Sequence, residues 1–154
     1  MKIVLSESQY RRLIETKEEG EILKFPSLEF FDKDREVAWN IIQKIVEKKG
    51  NIPFAIDGDL YLMKVPIKSL GNLISVGGNL DLKNTPIESL GNLTSVGGYL
   101  SLANTPIESL GNLTSVGGDL FLRDTPISKM YSKQEVSQLV NVNRKIYLKA
   151  PGKS

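Results

Sequence analysis

The ten-residue segment SLGNLTSVGG occurs twice, at 89–98 and 109–118, and a near copy, SLGNLISVGG, occupies 69–78. Aligned on their glycines, residues 58–130 form four rows that begin at Gly58, Gly78, Gly98 and Gly118, the last row being partial. The period is therefore 20 residues. Self-similarity at a fixed interval of this length predicts a solenoid, in which each unit buries its apolar face against its neighbours.

The third row shows how one unit is expected to fold. Leu100 and Leu102 alternate with other residues, which is the period-2 pattern of a short strand whose leucines point inward. Pro106 has no N–H for a strand ladder and is expected to end the strand before Ile107 returns to the core. The apolar residues that follow recur every three positions, which favours a 3₁₀-like or extended return segment; they are Leu110, Leu113 and Val116. Stacked strands of successive coils would form a short parallel sheet.

The same row carries the pattern L-x-L-x-x-T-x-I, which resembles the leucine-rich repeat family. The residues that match are Leu100, Leu102, Thr105 and Ile107. The phrase L-x-S-V-G-G-x-L-x-L is also similar to the short repeats of bacterial and receptor L-domain-like proteins, and the resemblance covers about 56–130. It implies an α/β fold, a leucine-rich-repeat solenoid of about 3.5 coils with a short parallel sheet. It also implies that the threonine replaces an asparagine that bonds backbone between coils.

This sequence departs from the family pattern at two kinds of position. Val65 replaces the threonine in the first row, and glycine stands at the first strand-preceding leucine position, as at Gly77 and Gly97. These departures affect the expected hydrogen-bond ladder between coils rather than the repeat itself.

Residues 1–54 are predicted to be an N-terminal helical cap for the repeats of 55–130. A first helix is expected from a cap at Ser6 or Ser8 to about Glu19. A second helix is expected from near Asp32 to Gly50, because its apolar residues lie on one stripe at helical spacing. That stripe would seal the open end of the first coil, with Trp39 packed in the core.

Residues 131–154 are predicted to be a C-terminal cap and tail. Ser132 and Glu135 match the capping box S-x-x-E and are expected to start a short helix through Val136 and Val140. A strand, KIYL at 145–148, follows. The helix and strand would protect the last repeat strand from edge-to-edge association.

The outward strand positions differ between rows, whereas the buried and turn positions barely change. In leucine-rich-repeat proteins this sheet face usually binds the partner, so the outward residues are the predicted partner-binding site. They are Asp59, Tyr61, Met63, Asn79, Asp81, Lys83, Tyr99, Ser101, Asp119, Phe121 and Arg123. Large aromatic groups among mixed charges are typical of protein-recognition surfaces. The rival interpretation is that these side chains only pack against one another across the sheet.

Composition disfavours catalysis. The chain contains no cysteine and no histidine, which removes the thiolate nucleophile, the usual general base and the usual zinc ligands. We therefore expect no enzyme activity, no cofactor, no metal and no small-molecule substrate. The cysteine-dependent ubiquitin ligases that carry leucine-rich repeats are excluded.

The sequence fits two other binding classes less well than it fits protein recognition. Thr85, Thr105 and Thr125 form a regular column, but an ice-binding surface typically presents paired threonines, and here each threonine is single and precedes proline. A nucleic-acid binder would depend on the basic tail, where residues 126–154 hold 6 Lys or Arg against 1 acidic residue. Residues 51–125 hold 4 against 7, which would oppose phosphate binding.

The sequence thus predicts a non-catalytic module that binds a partner protein. The opening and closing segments are similar in style to small proteins of tailed phages, which implies a protein that engages or inhibits a host protein such as a defence component. The alternative is a structural or assembly protein that docks onto a larger complex, for example a virion. The short apolar run at 3–5 is too short for a secretory or membrane segment, so a cytoplasmic location, in the host if phage-encoded, and no membrane contact are expected.

Overall fold

The computed structural model describes residues 22–149, so the helix expected from Ser6 or Ser8 lies outside the described residues. The strands are β1 (Leu23–Phe25), β2 (Phe54–Ile56), β3 (Leu60–Tyr61), β4 (Leu73–Val76), β5 (Leu80–Asp81), β6 (Ser95–Val96), β7 (Leu100–Ser101), β8 (Ser115–Val116), β9 (Leu120–Phe121), β10 (Asn141–Val142) and β11 (Ile146–Tyr147). The α-helices are α1 (Arg35–Lys48), α2 (Pro126–Met130) and α3 (Lys133–Leu139), and a 3₁₀ helix spans Leu28–Phe30. None of the helices between residues 22 and 149 combines the length and the apolar character that spanning a bilayer requires.

The strands form two parallel sheets, which confirms the α/β class. One sheet has the order β1-β2-β4-β6-β8-β10 and the other β3-β5-β7-β9-β11. Successive 20-residue units lie in register, so that Leu80 pairs with Leu100 in the five-stranded sheet and Ser95 with Ser115 in the six-stranded sheet. Each complete unit therefore gives one strand to each sheet.

The six-stranded sheet was not predicted, because the return segments were expected to be either 3₁₀-like or extended. They end in extended strands whose amide groups bond to the coil before. The Gly97 N–H donates to the Val76 carbonyl at 2.8 Å, and the Gly117 N–H donates to the Val96 carbonyl at 2.8 Å. Backbone groups that leave water need a partner, and the neighbouring coil provides one for an extended segment.

The core lies between the two sheets. All six positions predicted to face inward in the third row are buried; they are Leu100, Leu102, Ile107, Leu110, Leu113 and Val116. Their six counterparts in the second row are buried in the same cluster. Burial of a large aliphatic side chain contributes roughly 1.5–3 kcal/mol, so the stacked columns supply the main stabilising contribution.

The threonine column differs from what the resemblance implied. The three side chains are buried, and each hydroxyl donates to the carbonyl three residues earlier in its own coil; they are Thr85, Thr105 and Thr125. Asparagine side chains link the coils instead, since the Asn104 amide donates to Asn84 at 2.7 Å. The threonines therefore stabilise the turn after each strand and present no hydroxyl to solvent.

The second predicted helix of the N-terminal region is confirmed. Helix α1 begins after Asp34, whose carboxylate accepts from the backbone N–H groups of Glu36 at 2.9 Å and Val37 at 3.2 Å. Its apolar stripe is buried, and Trp39 lies in the core with its ring centroid 6.1 Å from that of Phe54. Trp39 is thus a packing residue, as predicted.

The expectation of a purely helical N-terminal region is wrong for Leu23–Phe25, which forms β1 and pairs with β2. Phe25 packs edge-on against Phe31 and Phe54, with ring centroids 5.8 and 6.0 Å apart. Only three residues alternate here, and a pattern this short does not indicate a strand unless the strand that pairs with it is known.

The predicted C-terminal helix and strand are confirmed. The Ser132 hydroxyl accepts from the Glu135 N–H at 3.1 Å, and the Glu135 carboxylate accepts from the Ser132 N–H at 2.9 Å, so α3 starts with the predicted capping box. Strand β11 pairs with β9. Strand β10 also pairs with β8, so the segment after α3 adds one further, irregular coil to both sheets.

Candidate functional site

The eleven predicted partner-binding residues lie on the outer side of the five-stranded sheet, which we call the outer face. The strand register aligns its side chains in three columns that run across the strands. The first column is Asp59, Asn79, Tyr99, Asp119 and Lys145; the second is Tyr61, Asp81, Ser101, Phe121 and Tyr147; the third is Met63, Lys83, Ala103, Arg123 and Lys149. The structure therefore brings the predicted residues onto one surface.

The first column has a structural role that the comparison of the rows within this sequence did not reveal. The Asp59 carboxylate accepts from the Asn79 N–H at 2.7 Å, and the Asn79 amide oxygen accepts from the Tyr99 N–H at 2.9 Å. Asp119 accepts from the Lys145 N–H at 2.9 Å. Three of the variable positions therefore hold the next coil. The sequence signal was that Asp or Asn stands at three of the four row positions, since both side chains carry an oxygen acceptor at the same distance from the backbone.

An aromatic cluster occupies the C-terminal half of the outer face. The rings of Tyr99 and Phe121 meet edge to face with centroids 5.9 Å apart, and Phe121 stacks on Tyr147 at 4.9 Å. All three side chains are half-buried. Tyr147 was not among the predicted site residues. The sequence feature that could have identified Tyr147 is the segment Ile146-Tyr147-Leu148, which repeats the alternation of inward apolar and outward residues seen in the rows.

Beside this cluster lies a cavity of about 370 Å³, which we call the notch. Ser101 and Ala103 lie at its base and are 6% and 2% exposed, because both are small and the neighbouring side chains rise above them. The notch is also lined by the aromatic cluster, by Asp81 and Asp119, and by the cations Lys83, Arg123 and Lys149. The third row has small residues in the second and third columns, where the neighbouring rows have larger ones, and this difference creates the concavity.

Two of the polar groups at the notch bond to each other. The Tyr99 hydroxyl donates to the Asp81 carboxylate at 3.3 Å, and the other oxygen of Asp81 accepts from the Lys83 N–H at 3.1 Å. Burial, followed by the negative charge of Asp81, raises the pKa of Tyr99 to about 12. Tyr99 is therefore a neutral hydrogen-bond donor at physiological pH, and Asp81 is engaged within the protein.

The remaining predicted residues lie at the other end of the outer face. Asp59, Tyr61 and Met63 line a separate cavity of about 380 Å³ next to the start of α1. The Arg35 guanidinium donates to the Met63 sulfur at 3.5 Å. The outer face thus holds two concave regions, and the notch is the one with the aromatic cluster.

The outer face offers hydrogen-bond donors, aromatic surface and charge. Across residues 22–149 no group of three or more His, Cys, Asp or Glu side chains is placed to hold a metal ion. Because donors and charged groups lie beside aromatic surface, the outer face can bind a polar or charged group next to an apolar one.

The geometry defines an α/β protein in which a 20-residue repeat builds two parallel sheets. No protein-family model matches the chain, and neither the curated proteins nor the solved structures compared with it gave a match. The chemistry of the outer face is thus the guide to function.

Proposed function

We propose that this protein is a non-catalytic interaction module, built as a leucine-rich-repeat type of solenoid, that binds a partner protein through its outer face. The in-register stack of 20-residue coils supports the solenoid. The absence of histidine and cysteine from the sequence supports a role without catalysis.

The observation that carries the binding role is the half-buried aromatic cluster beside the notch. Tyr99, Phe121 and Tyr147 place three rings next to a concavity and next to charged side chains. Protein interfaces concentrate binding free energy in aromatic and arginine side chains that border a pocket, surrounded by polar groups. The cluster has this composition.

Packing across the sheet accounts for part of the cluster, because Phe121 contacts a ring on each side. It does not account for the notch itself. Ser101 and Ala103 leave a concavity that larger residues at the same positions in other rows fill. The engagement of a host protein by a phage protein stays a prediction from the sequence.

The proposal is tested by affinity capture. The immobilised protein is incubated with a lysate of the cells in which it acts, and the captured proteins are identified and quantified by mass spectrometry. The variant Tyr99→Ala with Phe121→Ala is compared with a control, Ile74→Ala with Leu139→Ala, which removes apolar surface from the six-stranded sheet and from α3. Circular dichroism establishes that both variants are folded.

We expect the outer-face variant to lose at least about tenfold of the main captured protein, since two anchoring side chains are removed. The control variant should capture as much as the unmodified protein. Unchanged capture by the outer-face variant, or a loss confined to the control variant, would show that the partner binds elsewhere.

A further inference from the structure

The third column of the outer face carries most of the positive charge near the notch. In this column Ala103 lies between Lys83 and Arg123 at the base of the notch, and Lys149 follows Arg123 on the neighbouring strand. Lys83 and Arg123 lie two strands apart, so their backbones are separated by roughly 10 Å. The short side chain of Ala103 leaves a gap between the side chains of Lys83 and Arg123.

These cations form no ion pair with the carboxylates of Asp81 and Asp119, which also line the notch. Asp81 accepts hydrogen bonds from Tyr99 and from the Lys83 backbone, and Asp119 accepts one from the Lys145 backbone. Within residues 22–149 no carboxylate lies within 4.0 Å of the ammonium groups of Lys83 or Lys149. Arg123 is 3.6 Å from Asp124, but both side chains are exposed, so solvent weakens this pair.

We propose that the notch binds an acidic residue of the partner that stands next to an apolar residue in an exposed segment. The carboxylate lies above Ala103 between Lys83 and Arg123, where charge-assisted hydrogen bonds are available. The apolar side chain packs on the rings of Tyr99 and Phe121. This inference rests on the proposed function and adds the chemistry of the partner segment.

A short segment fits the dimensions of the face better than a broad surface does. The five strands of the sheet span about 20 Å and each presents only a few outward residues. The notch, at about 370 Å³, has room for a pair of side chains rather than for a folded surface. Cavities of this size commonly bind a small ligand group through apolar contacts and a few precisely placed polar groups.

A nucleic acid is the rival ligand, because aromatic rings and cations also bind bases and phosphates. Successive phosphates need a continuous positive track. Here the row of cations is interrupted at Ala103, whose side chain carries no charge. The charge pattern therefore favours a single carboxylate over a phosphate chain.

The test uses the full chain and a display library of short random peptides. Enriched peptides are synthesised, and their dissociation constants are measured by fluorescence anisotropy at low and high salt. Each acidic residue is then replaced by its amide. On the protein, Lys83→Gln with Arg123→Gln is compared with a control of equal charge change, Lys68→Gln with Lys129→Gln.

We expect enriched peptides to carry Asp or Glu next to an aromatic or aliphatic residue. Replacing the acid by its amide should weaken binding about tenfold, and high salt should weaken the parent peptide by a similar factor. The Lys83 and Arg123 variant should show the same loss and should bind parent and amide peptides equally. The control variant should bind like the unmodified protein.

Three outcomes would overturn the inference. If enriched peptides lose affinity with Tyr99→Ala and Phe121→Ala but carry no preferred acid, the acidic partner is wrong and the proposed function stands. If no enriched peptide depends on any outer-face residue, the inference fails and the proposed function loses support. If an oligodeoxythymidine binds more tightly than any peptide and depends on Lys83 and Arg123, the ligand is a nucleic acid.

Discussion

The rings of Phe121 and Tyr147 are stacked, with centroids 4.9 Å apart and planes within 7° of parallel. The two residues are 26 positions apart in the chain, whereas the repeat spaces such neighbours by 20. The extra residues belong to the segment that contains α2 and α3. The C-terminal cap is thus a modified coil that also contributes a ring to the candidate binding face.

The stacked pair should contribute measurably to stability. We expect Phe121→Leu and Tyr147→Leu each to lower the free energy of unfolding, and the double variant to lower it by less than the sum of the two. The coupling free energy should be about 0.5–1.5 kcal/mol, as for other aromatic pairs. Urea unfolding of the unmodified protein, the two single variants and the double variant measures this coupling free energy in a double-mutant cycle. Additive effects of the two substitutions would contradict the prediction.

Ionisation of Tyr99 should destabilise the folded protein at high pH. Burial, then the charge of Asp81, raises its pKa from 10.0 to about 12. The neutral phenol is favoured in the folded state, so its contribution to stability is complete below pH 10 and is lost as the pH rises from 10 to about 12.

Ultraviolet absorbance of tyrosinate against pH measures this pKa. The late-titrating component should disappear in Tyr99→Phe and should move to lower pH in Asp81→Asn, where the neighbouring charge is removed. Retention of the late component in Tyr99→Phe would assign it to another tyrosine.

Gly97 should not tolerate a side chain. A Cβ atom there would lie 2.1 Å from the Gly77 carbonyl oxygen, which belongs to the backbone of the coil before. We expect Gly97→Ala to lower the free energy of unfolding by about 3 kcal/mol, the upper part of the range for overpacking, because the coils must separate. Asp57→Ala is the matched control, since Asp57 occupies the equivalent position in the first row and already has a Cβ. Urea unfolding distinguishes the two, and equal effects would refute close coil contact as the cause.

Lys64 occupies a backbone conformation that suits asparagine. Its φ is 67°, and the equivalent residues Asn84, Asn104 and Asp124 have φ of 62°, 57° and 57°. Left-handed backbone costs an ordinary L-residue roughly 1–2 kcal/mol, whereas Asn and Asp tolerate it.

We therefore expect Lys64→Asn to raise the free energy of unfolding by about 1 kcal/mol. The new amide would also lie beside Asn84 and extend the ladder that Asn104 makes with it. Lys68→Asn, at an exposed position without a left-handed backbone, should change stability little. A stability gain of the same size in Lys68→Asn would point to charge rather than to backbone conformation.

Much of the fold follows from local patterns. Leu100 and Leu102 alternate along one strand, and identical spacing in the other rows places their counterparts in the same buried columns. The box of Ser132 and Glu135 fixes the start of α3 because both partners lie within one turn. Such features need no information about distant residues.

The candidate site was predictable only in part. The spacing of the rows places Tyr99 and Phe121 on neighbouring strands, and in the structure their rings meet edge to face. The partnership of Tyr99 with Asp81 and the support given by Asn79 depend on side-chain reach between coils. Row-to-row variation alone cannot separate a side chain that holds the next coil from one that is free to bind.

The sequence by itself determined the repeat, the direction in which its leucines point and the bounds of the two confirmed cap helices, because periodicity and capping act within a few residues. Tertiary structure decided that the return segments form a second sheet, that Leu23–Phe25 pairs with β2, and that Ser101 and Ala103 form the base of a notch. These features depend on which backbone and side-chain groups meet across neighbouring coils. Only the stacked coils bring those groups within hydrogen-bonding and van der Waals distance.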